Sequence, residues 1–287
     1  MWGTLAAMDG LLRARAVAAG NVFTTADAAE CGHDARSLRR LVASGECVRI
    51  GRGRYAVGPL PLRPEDEHVA RTRAALLTHG NRVAASHHSA LLLHGLPVFG
   101  ADLSVVHLTR LADRHTRRSS GIAMNVRPAG TQVLWVDSCA VVDACTALVQ
   151  LAMAHGILPA VVSADAALHH GTATGEQLAA AVDRIRGIPG SRAARHMLSH
   201  ADSRSESVGE SRLRLGLLVH RLPVVPQHEI REAGEVVARV DSSSRGHASW
   251  SSSTAWSSTA AMVAAMPSWP RSCVRTASAA SAMRWCG

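Results

Sequence analysis

A regular series of helix-capping residues and helix-ending glycines marks the first sixty residues, and it leaves room for little besides three short helices and a hairpin. Three side chains typical of helix N-caps alternate with three glycines typical of helix ends: Asp9, Gly20, Thr24, Gly32, Asp34 and Gly45. This series predicts a helix from residue 10 to Ala19, a second over Ala26–Cys31 and a third over Ala35–Ser44.

Two short strand-like runs follow the third helix. Cys47–Ile50 and Arg54–Val57 flank the turn Gly51-Arg52-Gly53, which predicts an antiparallel hairpin. Three helices and a basic hairpin are the order of a winged helix-turn-helix, so a DNA-binding domain of this type is predicted over residues 1–60.

The third helix divides into an apolar side and a basic side. Leu38, Leu41 and Val42 recur at the spacing that packs a helix onto its neighbours. The opposite side and its flank carry a polar set: Arg36, Ser37, Arg39 and Arg40. A helix that enters the major groove of double-stranded DNA needs this division, and we predict that these side chains contact DNA. A solvated arginine face is the alternative.

The hairpin adds three arginines spaced by glycine. Arg49, Arg52 and Arg54 are predicted to hold phosphates, which gives salt-sensitive affinity that does not depend on base sequence. Tyr55 is expected to pack beneath the hairpin instead of stacking on a base.

Overall charge favours an anionic partner. All 31 basic residues are arginine, against 22 acidic residues, and the net charge of +9 points to nucleic acid first and an acidic protein second. The chain has no apolar run of about 18 residues and no signal-peptide pattern at its start, so no membrane partner and a cytoplasmic location are expected.

The rest of the chain divides into three parts. Residues 61–200 alternate helical and strand-like patterns and predict a mixed α/β domain, which makes the whole chain α/β (α+β). Residues 201–241 predict one helix and two strands. Residues 242–287 contain no acidic residue, are half Ser and Ala, and hold four of the six Trp. They predict a low-complexity, disordered tail, or alternatively the product of a frameshift near Asp241, since another reading frame supplies strand-like and helical sequence there.

Several residues in the middle segment receive no chemical role. His87 and His88 are adjacent on a predicted helix, so they point about 100° apart and predict packing, and no metal site is predicted. His107 is assigned with nearby arginines to a solvated basic loop. Asp137 and Ser138 are expected to cap a helix starting near Val141.

The N-terminal sequence resembles a known family. The runs from Val22 to Ala28, Arg36 to Gly45 and Val48 to Val57 are similar to the winged-helix start of AbiEi-type antitoxins of type IV toxin–antitoxin systems, and 85–97 resembles the stretch that follows in actinobacterial relatives. The resemblance implies operator binding, repression of an antitoxin–toxin operon, and a nucleotidyltransferase-like toxin as cognate partner. A homodimer is left open.

Residues 202–214 and 237–241 resemble the opening of a very-short-patch-repair-type endonuclease domain of the restriction-endonuclease-like fold. The resemblance implies that Glu210 and Asp241 are two of the carboxylates that gather Mg²⁺ for phosphodiester cleavage. The later acidic pair is absent from this chain, so these two residues are vestigial, no cofactor is expected and no enzyme activity is predicted. A Mg²⁺-dependent nuclease and a decayed gene product are the alternatives to a regulator.

Overall fold

Capping side chains mark the starts of the first three helices. The computed structural model describes residues 8–61, 63–112, 116–119, 121–220, 224–232 and 235–244. The three helices are α1 (Gly10–Ala18), α2 (Thr25–Glu30) and α3 (Ala35–Ala43). The carboxylate of Asp9 accepts the Leu12 N–H at 2.8 Å, and that of Asp34 accepts the Ser37 N–H at 2.7 Å. Thr24 and Asp27 form a reciprocal capping box at the start of α2.

A three-stranded antiparallel sheet closes this segment, in the order β1-β3-β2. Its strands are β1 (Val22–Thr24), β2 (Cys47–Gly51) and β3 (Arg54–Val57). β2 and β3 form the predicted hairpin, whereas β1 has no counterpart in the sequence prediction. Phe23 stacks on Tyr55 with ring centroids 5.3 Å apart, so Tyr55 packs within the sheet region as expected.

One long helix, α4 (Pro64–His79), contacts both the first sheet and the middle of the chain. Its Ala74 is fully buried with Val22 and Ala56. The same helix contributes Ala75 and Leu76 to the large core that follows.

A six-stranded mixed sheet organises the middle of the chain, in the order β6-β7-β5-β4-β9-β8. Its strands are β4 (Val83–Ala85), β5 (Val106–Arg110), β6 (Arg117–Ser119), β7 (Ile122–Val126), β8 (Val133–Val136) and β9 (Cys139–Val142). The β5–β7 and β4–β9 pairs are parallel and the other pairs are antiparallel. The sheet confirms a mixed α/β architecture.

Five helices accompany this sheet: α5 (His87–Leu93), α6 (Ala144–His155), α7 (Ile157–His169), α8 (Gly175–Arg184) and α9 (Ser191–His200). The apolar residues of α6 and α7 are mostly buried because these helices pack on each other and on α9. Within the described ranges, no helix is both long enough and apolar enough to cross a membrane.

The segment around Asp137 differs from its prediction. Asp137 and Ser138 have φ values of 45° and 63° and form the two-residue turn between β8 and β9, as in a type I′ hairpin. Val141 therefore lies in a strand and not in a helix. The residue that caps α6 is Asp143, whose carboxylate accepts the Thr146 N–H at 2.9 Å. His107 was wrongly placed in a solvated loop, since it is buried in β5.

The last described elements are α10 (Val208–Val219) and a hairpin of β10 (Val224–Glu232) and β11 (Glu235–Ser244). α10 packs on α7, and its Leu215 joins the core of the middle sheet, so residue 200 does not mark a break in that core. β11 continues three residues beyond Asp241, and the predicted tail from residue 245 onward lies outside the described residues.

Candidate nucleic-acid interface

Helix α3 presents its arginines outward. Leu38 and Leu41 are buried with Leu12, Phe23 and other residues of the N-terminal core. Arg36, Arg39 and Arg40 are exposed on the rest of the helix. Val42 was predicted on the packed side, but it is 39% exposed because α3 buries only a narrow stripe.

Two members of the predicted polar set are engaged by the helix itself. The Ser37 hydroxyl donates to the Asp34 carbonyl at 2.9 Å, and the Arg39 Nε donates to the Ala35 carbonyl at 3.1 Å. Hydrogen bonds from Ser37, chiefly its backbone N–H, also hold the pKa of Asp34 below its usual range. Ser37 therefore orders the start of α3, whereas Arg36 and Arg40 have no such contact within the described part of the chain.

The hairpin turn is anchored to the start of α2. The Thr25 N–H donates to the Gly53 carbonyl at 2.9 Å, and Gly53 has a φ of 69°, which favours glycine. Arg52 is exposed at the tip of this turn. The turn is thus held against the helix-turn-helix pair by the backbone, independently of its basic side chains.

The three hairpin arginines lie in different environments. Arg49 is exposed, and its Nε donates to the Gly51 carbonyl at 3.2 Å. Arg54 is partly buried, and its guanidinium lies so close over Gly51 that a Cβ there would be 2.8 Å from Nη2. Burial lowers the pKa of Arg54. Arg49 and Arg52 are accordingly better placed than Arg54 to reach a phosphate.

The arginine ion pairs among the described residues of the N-terminal segment involve α1 and not α3. Arg15 lies 3.0 Å from Asp27 and 2.6 Å from Glu30, and Arg13 lies 3.8 Å from Glu46. Among the described residues, none of the exposed arginines of α3 and the hairpin forms an ion pair: Arg36, Arg39, Arg40, Arg49 and Arg52. Their positive charge is left available to an external anion.

The two carboxylates predicted for a vestigial nuclease site lie in α10 and β11. Glu210 accepts the Glu206 N–H at 3.1 Å and the Ser207 hydroxyl at 2.9 Å, so its carboxylate supports the N-terminus of α10. Asp241 lies in β11 between the paired positions Val240 and Ser242.

A family comparison covers the segment that carries these arginines. No curated protein matches the chain. The family model described as "Transcriptional regulator, AbiEi antitoxin" matches residues 11–58, which run from α1 to the end of β3. This N-terminal segment, about a sixth of the chain, is therefore similar to DNA-binding transcriptional regulators of the AbiEi antitoxin type.

Proposed function

We propose that the chain is a transcriptional regulator of AbiEi antitoxin character that binds double-stranded DNA through a winged helix-turn-helix at residues 1–60. The observation that carries the proposal is the set of exposed arginines on α3 and the β2–β3 turn that form no ion pair with any acidic residue in the described part of the chain. A surface of this kind lowers the free energy of association with a polyanion, because each phosphate contact releases counterions.

The environments of the arginines suggest a division of roles. Arg36 and Arg40 are assigned to base edges in the major groove, since they project from α3 without a helix contact. Arg49 and Arg52 are assigned to phosphates beside the groove. Ser37 and Arg54 have intramolecular roles in the free protein, so we assign them the smallest share of the binding energy. Arg39, like Arg49, donates from Nε to one backbone carbonyl, and we group it with the phosphate contacts.

We extend the proposal to repression of the chain's own operon and to neutralisation of a nucleotidyltransferase-like toxin, as expected of an AbiEi-type antitoxin. The family similarity supports regulation in general terms. The middle domain, with its exposed Trp135 and Leu134 on the edge strand β8, is the segment that we assign to protein partners or to a second copy of the chain.

We also propose that the chain is not an enzyme. A nuclease centre of the restriction type needs several carboxylates on Mg²⁺, and the Glu210 carboxylate already accepts from Glu206 and Ser207, which lie just before its helix. The acidic pair expected after Asp241 is missing from the sequence, which agrees with a frameshift at that point. Sequencing the gene across the Asp241 codon tests the frameshift; a frame that is intact in independent isolates argues against it.

Binding to the DNA upstream of the chain's own gene tests the regulator. Fluorescence anisotropy with this duplex is expected to show tight binding by the full chain and a loss of about 30-fold or more in the Arg36→Ala/Arg40→Ala/Arg52→Ala variant, given about 1–3 kcal/mol for each arginine–base contact. The matched control removes three exposed arginines elsewhere: Arg186→Ala, Arg192→Ala and Arg195→Ala. Equal affinities of the two triple variants would contradict the proposed interface.

A further inference from the structure

Five histidines meet beside β5, although they are spread over the sequence: His68, His87, His88, His107 and His155. The His88 ring is the centre of the group, with centroids 4.9 Å from His68, 4.9 Å from His107 and 5.3 Å from His155. His68 and His88 are fully buried. Such a group of imidazoles inside a core needs a physical reason, since each must be hydrogen-bonded or bound to something else.

Two neighbours of the centre are fixed by hydrogen bonds. The Leu103 carbonyl lies 2.8 Å from His68 Nδ1, and because a carbonyl only accepts, Nδ1 carries the proton. His68 Nε2 then accepts from the Ser89 hydroxyl at 2.8 Å. The Ser89 oxygen in turn accepts the backbone N–H of His107 at 2.9 Å. Both nitrogens of His68 are therefore occupied, and His68 acts as a positioning residue for β5.

The ring proton of His88 lies on the other nitrogen from that of His68. Its Nε2 lies 3.0 Å from the Val105 carbonyl, so Nε2 carries the proton and Nδ1 has a bare lone pair. His88 Nδ1 and His155 Nε2 are both buried and have no hydrogen-bond partner in the described part of the chain. A buried polar atom without a partner is destabilising, so two of them facing one cluster favour the binding of an external ligand there.

The His88 imidazole presents a nitrogen lone pair to the cluster, because the Val105 carbonyl only accepts and so fixes the ring proton on Nε2. A neutral histidine whose other ring nitrogen donates to a backbone carbonyl, as His88 does to Val105, is the usual state of a metal ligand.

We propose that His88, His107 and His155 form a binding site for a divalent transition-metal ion, with zinc as the best fit. Their ligand atoms all lie within 4.8 Å of one another, and tetrahedral Zn–N bonds of 2.0–2.1 Å require about 3.3 Å between nitrogens. Small rotations of the rings close this difference. His107 is placed by its β5 backbone. Asn125 Nδ2 lies 3.4 Å from His107 Nδ1, but this amide already donates to the Leu108 and Ala123 carbonyls at 3.1 and 3.2 Å.

The chemistry of the ligands selects the class of metal. Three imidazoles suit zinc and its neighbours, whereas Mg²⁺ and Ca²⁺ require oxygen ligands. Three protein ligands leave a fourth position for water. The bound ion joins α5, β5 and the end of α6, so it stabilises the middle domain and acts apart from the proposed DNA surface.

Zinc binding to the full chain tests the site. Protein stripped with a chelator and equilibrated with zinc chloride alone is expected to bind one zinc per chain at this site, and its melting temperature should rise by about 5–10 °C at a zinc concentration near 100 times Kd. His88→Gln and His155→Gln are expected to abolish both effects while keeping the helical circular-dichroism spectrum. Cobalt substitution provides a second readout, because a site of nitrogen ligands gives a tetrahedral visible spectrum without thiolate bands.

His196→Gln is the matched control, since His196 and His200 form a partly exposed pair of stacked rings four residues apart on α9, away from the proposed site. This variant should retain the zinc-dependent rise in melting temperature. Zinc binding that survives in His155→Gln, or that disappears in His196→Gln alone, overturns the proposal. His155 is partly exposed, so its variant decides the matter even where His88→Gln fails to fold.

Discussion

Removing the Arg214 guanidinium should destabilise the chain strongly, because it is half of a buried ion pair. Arg214 Nη2 lies 2.6 Å from Asp165 Oδ2, with side-chain exposures of 6% and 1%. Asp165 also accepts the Asp202 N–H at 2.7 Å and the Ser211 hydroxyl at 2.6 Å, and Arg214 Nη1 donates to the His200 carbonyl at 2.7 Å. This network attaches α10 to α7.

The expected loss follows from what Arg214→Ala leaves behind. Breaking a buried pair by removing one partner costs about 3–5 kcal/mol, because the remaining charge stays buried without compensation. The His200 carbonyl also loses its donor. Total stabilities of single domains are about 5–15 kcal/mol, so this loss is a large fraction of the free energy of unfolding.

The pH dependence of the loss has a definite sign. Burial already raises the pKa of Asp165, and Arg214 opposes this rise. Without Arg214 the folded-state pKa rises further above the unfolded value of 3.8, so the buried carboxyl becomes protonated at higher pH. The penalty should therefore be largest above that raised pKa and should shrink as the pH falls toward 3.8.

Urea unfolding followed by circular dichroism measures the free energy of unfolding of each variant. The control is Arg204→Ala, which removes an exposed partner of Asp202 and should cost at most about 1 kcal/mol. Equal midpoints for Arg214→Ala and Arg204→Ala would refute the reasoning and would mean that α10 is not docked on α7.

Three further outcomes are expected. Arg52→Ala should reduce the slope of log Kobs for DNA against log salt by about 0.9, whereas an unchanged slope removes Arg52 from the phosphate contacts. Gly53→Ala should cost at least about 1 kcal/mol in thermal unfolding, because the new Cβ sits at a φ of 69° and 3.2 Å from the Thr25 hydroxyl, while Gly175→Ala has open space and should be nearly neutral. The Cys47 thiol, whose pKa burial raises to about 11, should resist alkylation at pH 8 in the native protein and react after unfolding; native modification would contradict its burial.

Local chemistry made the N-terminal helices predictable from sequence. Asp9, Thr24 and Asp34 each bind a backbone N–H three residues on, which is a contact that the sequence displays directly. β1 was not predictable, since Val22–Thr24 is too short for a periodic signal and is a strand only because β3 lies beside it.

At Asp137 and Ser138, a helix cap was predicted from residue preferences, but the structure has a hairpin turn there. Both residue types favour helix N-caps, but Asp also tolerates positive φ, and only the pairing of Val136 with Cys139 distinguishes the two uses. Glu210 is a different case, because its contacts with Ser207 and Glu206 are only three and four residues apart, and a serine followed three residues later by a glutamate is a helix-capping pattern that the sequence already displays.

The histidine site was invisible in the sequence for a related reason. His88, His107 and His155 come from two helices and a strand, at spacings that match no chelating motif. Packing of α5 against β5, and of α6 against α5, brings them together. Exposure of Arg36 and Arg40 was predictable from helical periodicity. The absence of ion pairs between them and the other described residues depends instead on Glu46, Asp27 and Glu30 facing α1.

Helix α4 has a consequence for the proposed binding of the chain to DNA. Its Ala74 belongs to the packing of the first sheet, and its Ala75 and Leu76 belong to the middle core. A rotation of the N-terminal segment relative to the middle domain would therefore have to disrupt the packing of one of these cores. If two copies associate through their middle domains, the distance between their two α3 helices is fixed by the packing of α4 and does not vary as it would with a flexible linker. Such a dimer would bind DNA half-sites at one fixed spacing, and it would bind weakly when that spacing is increased by a few base pairs.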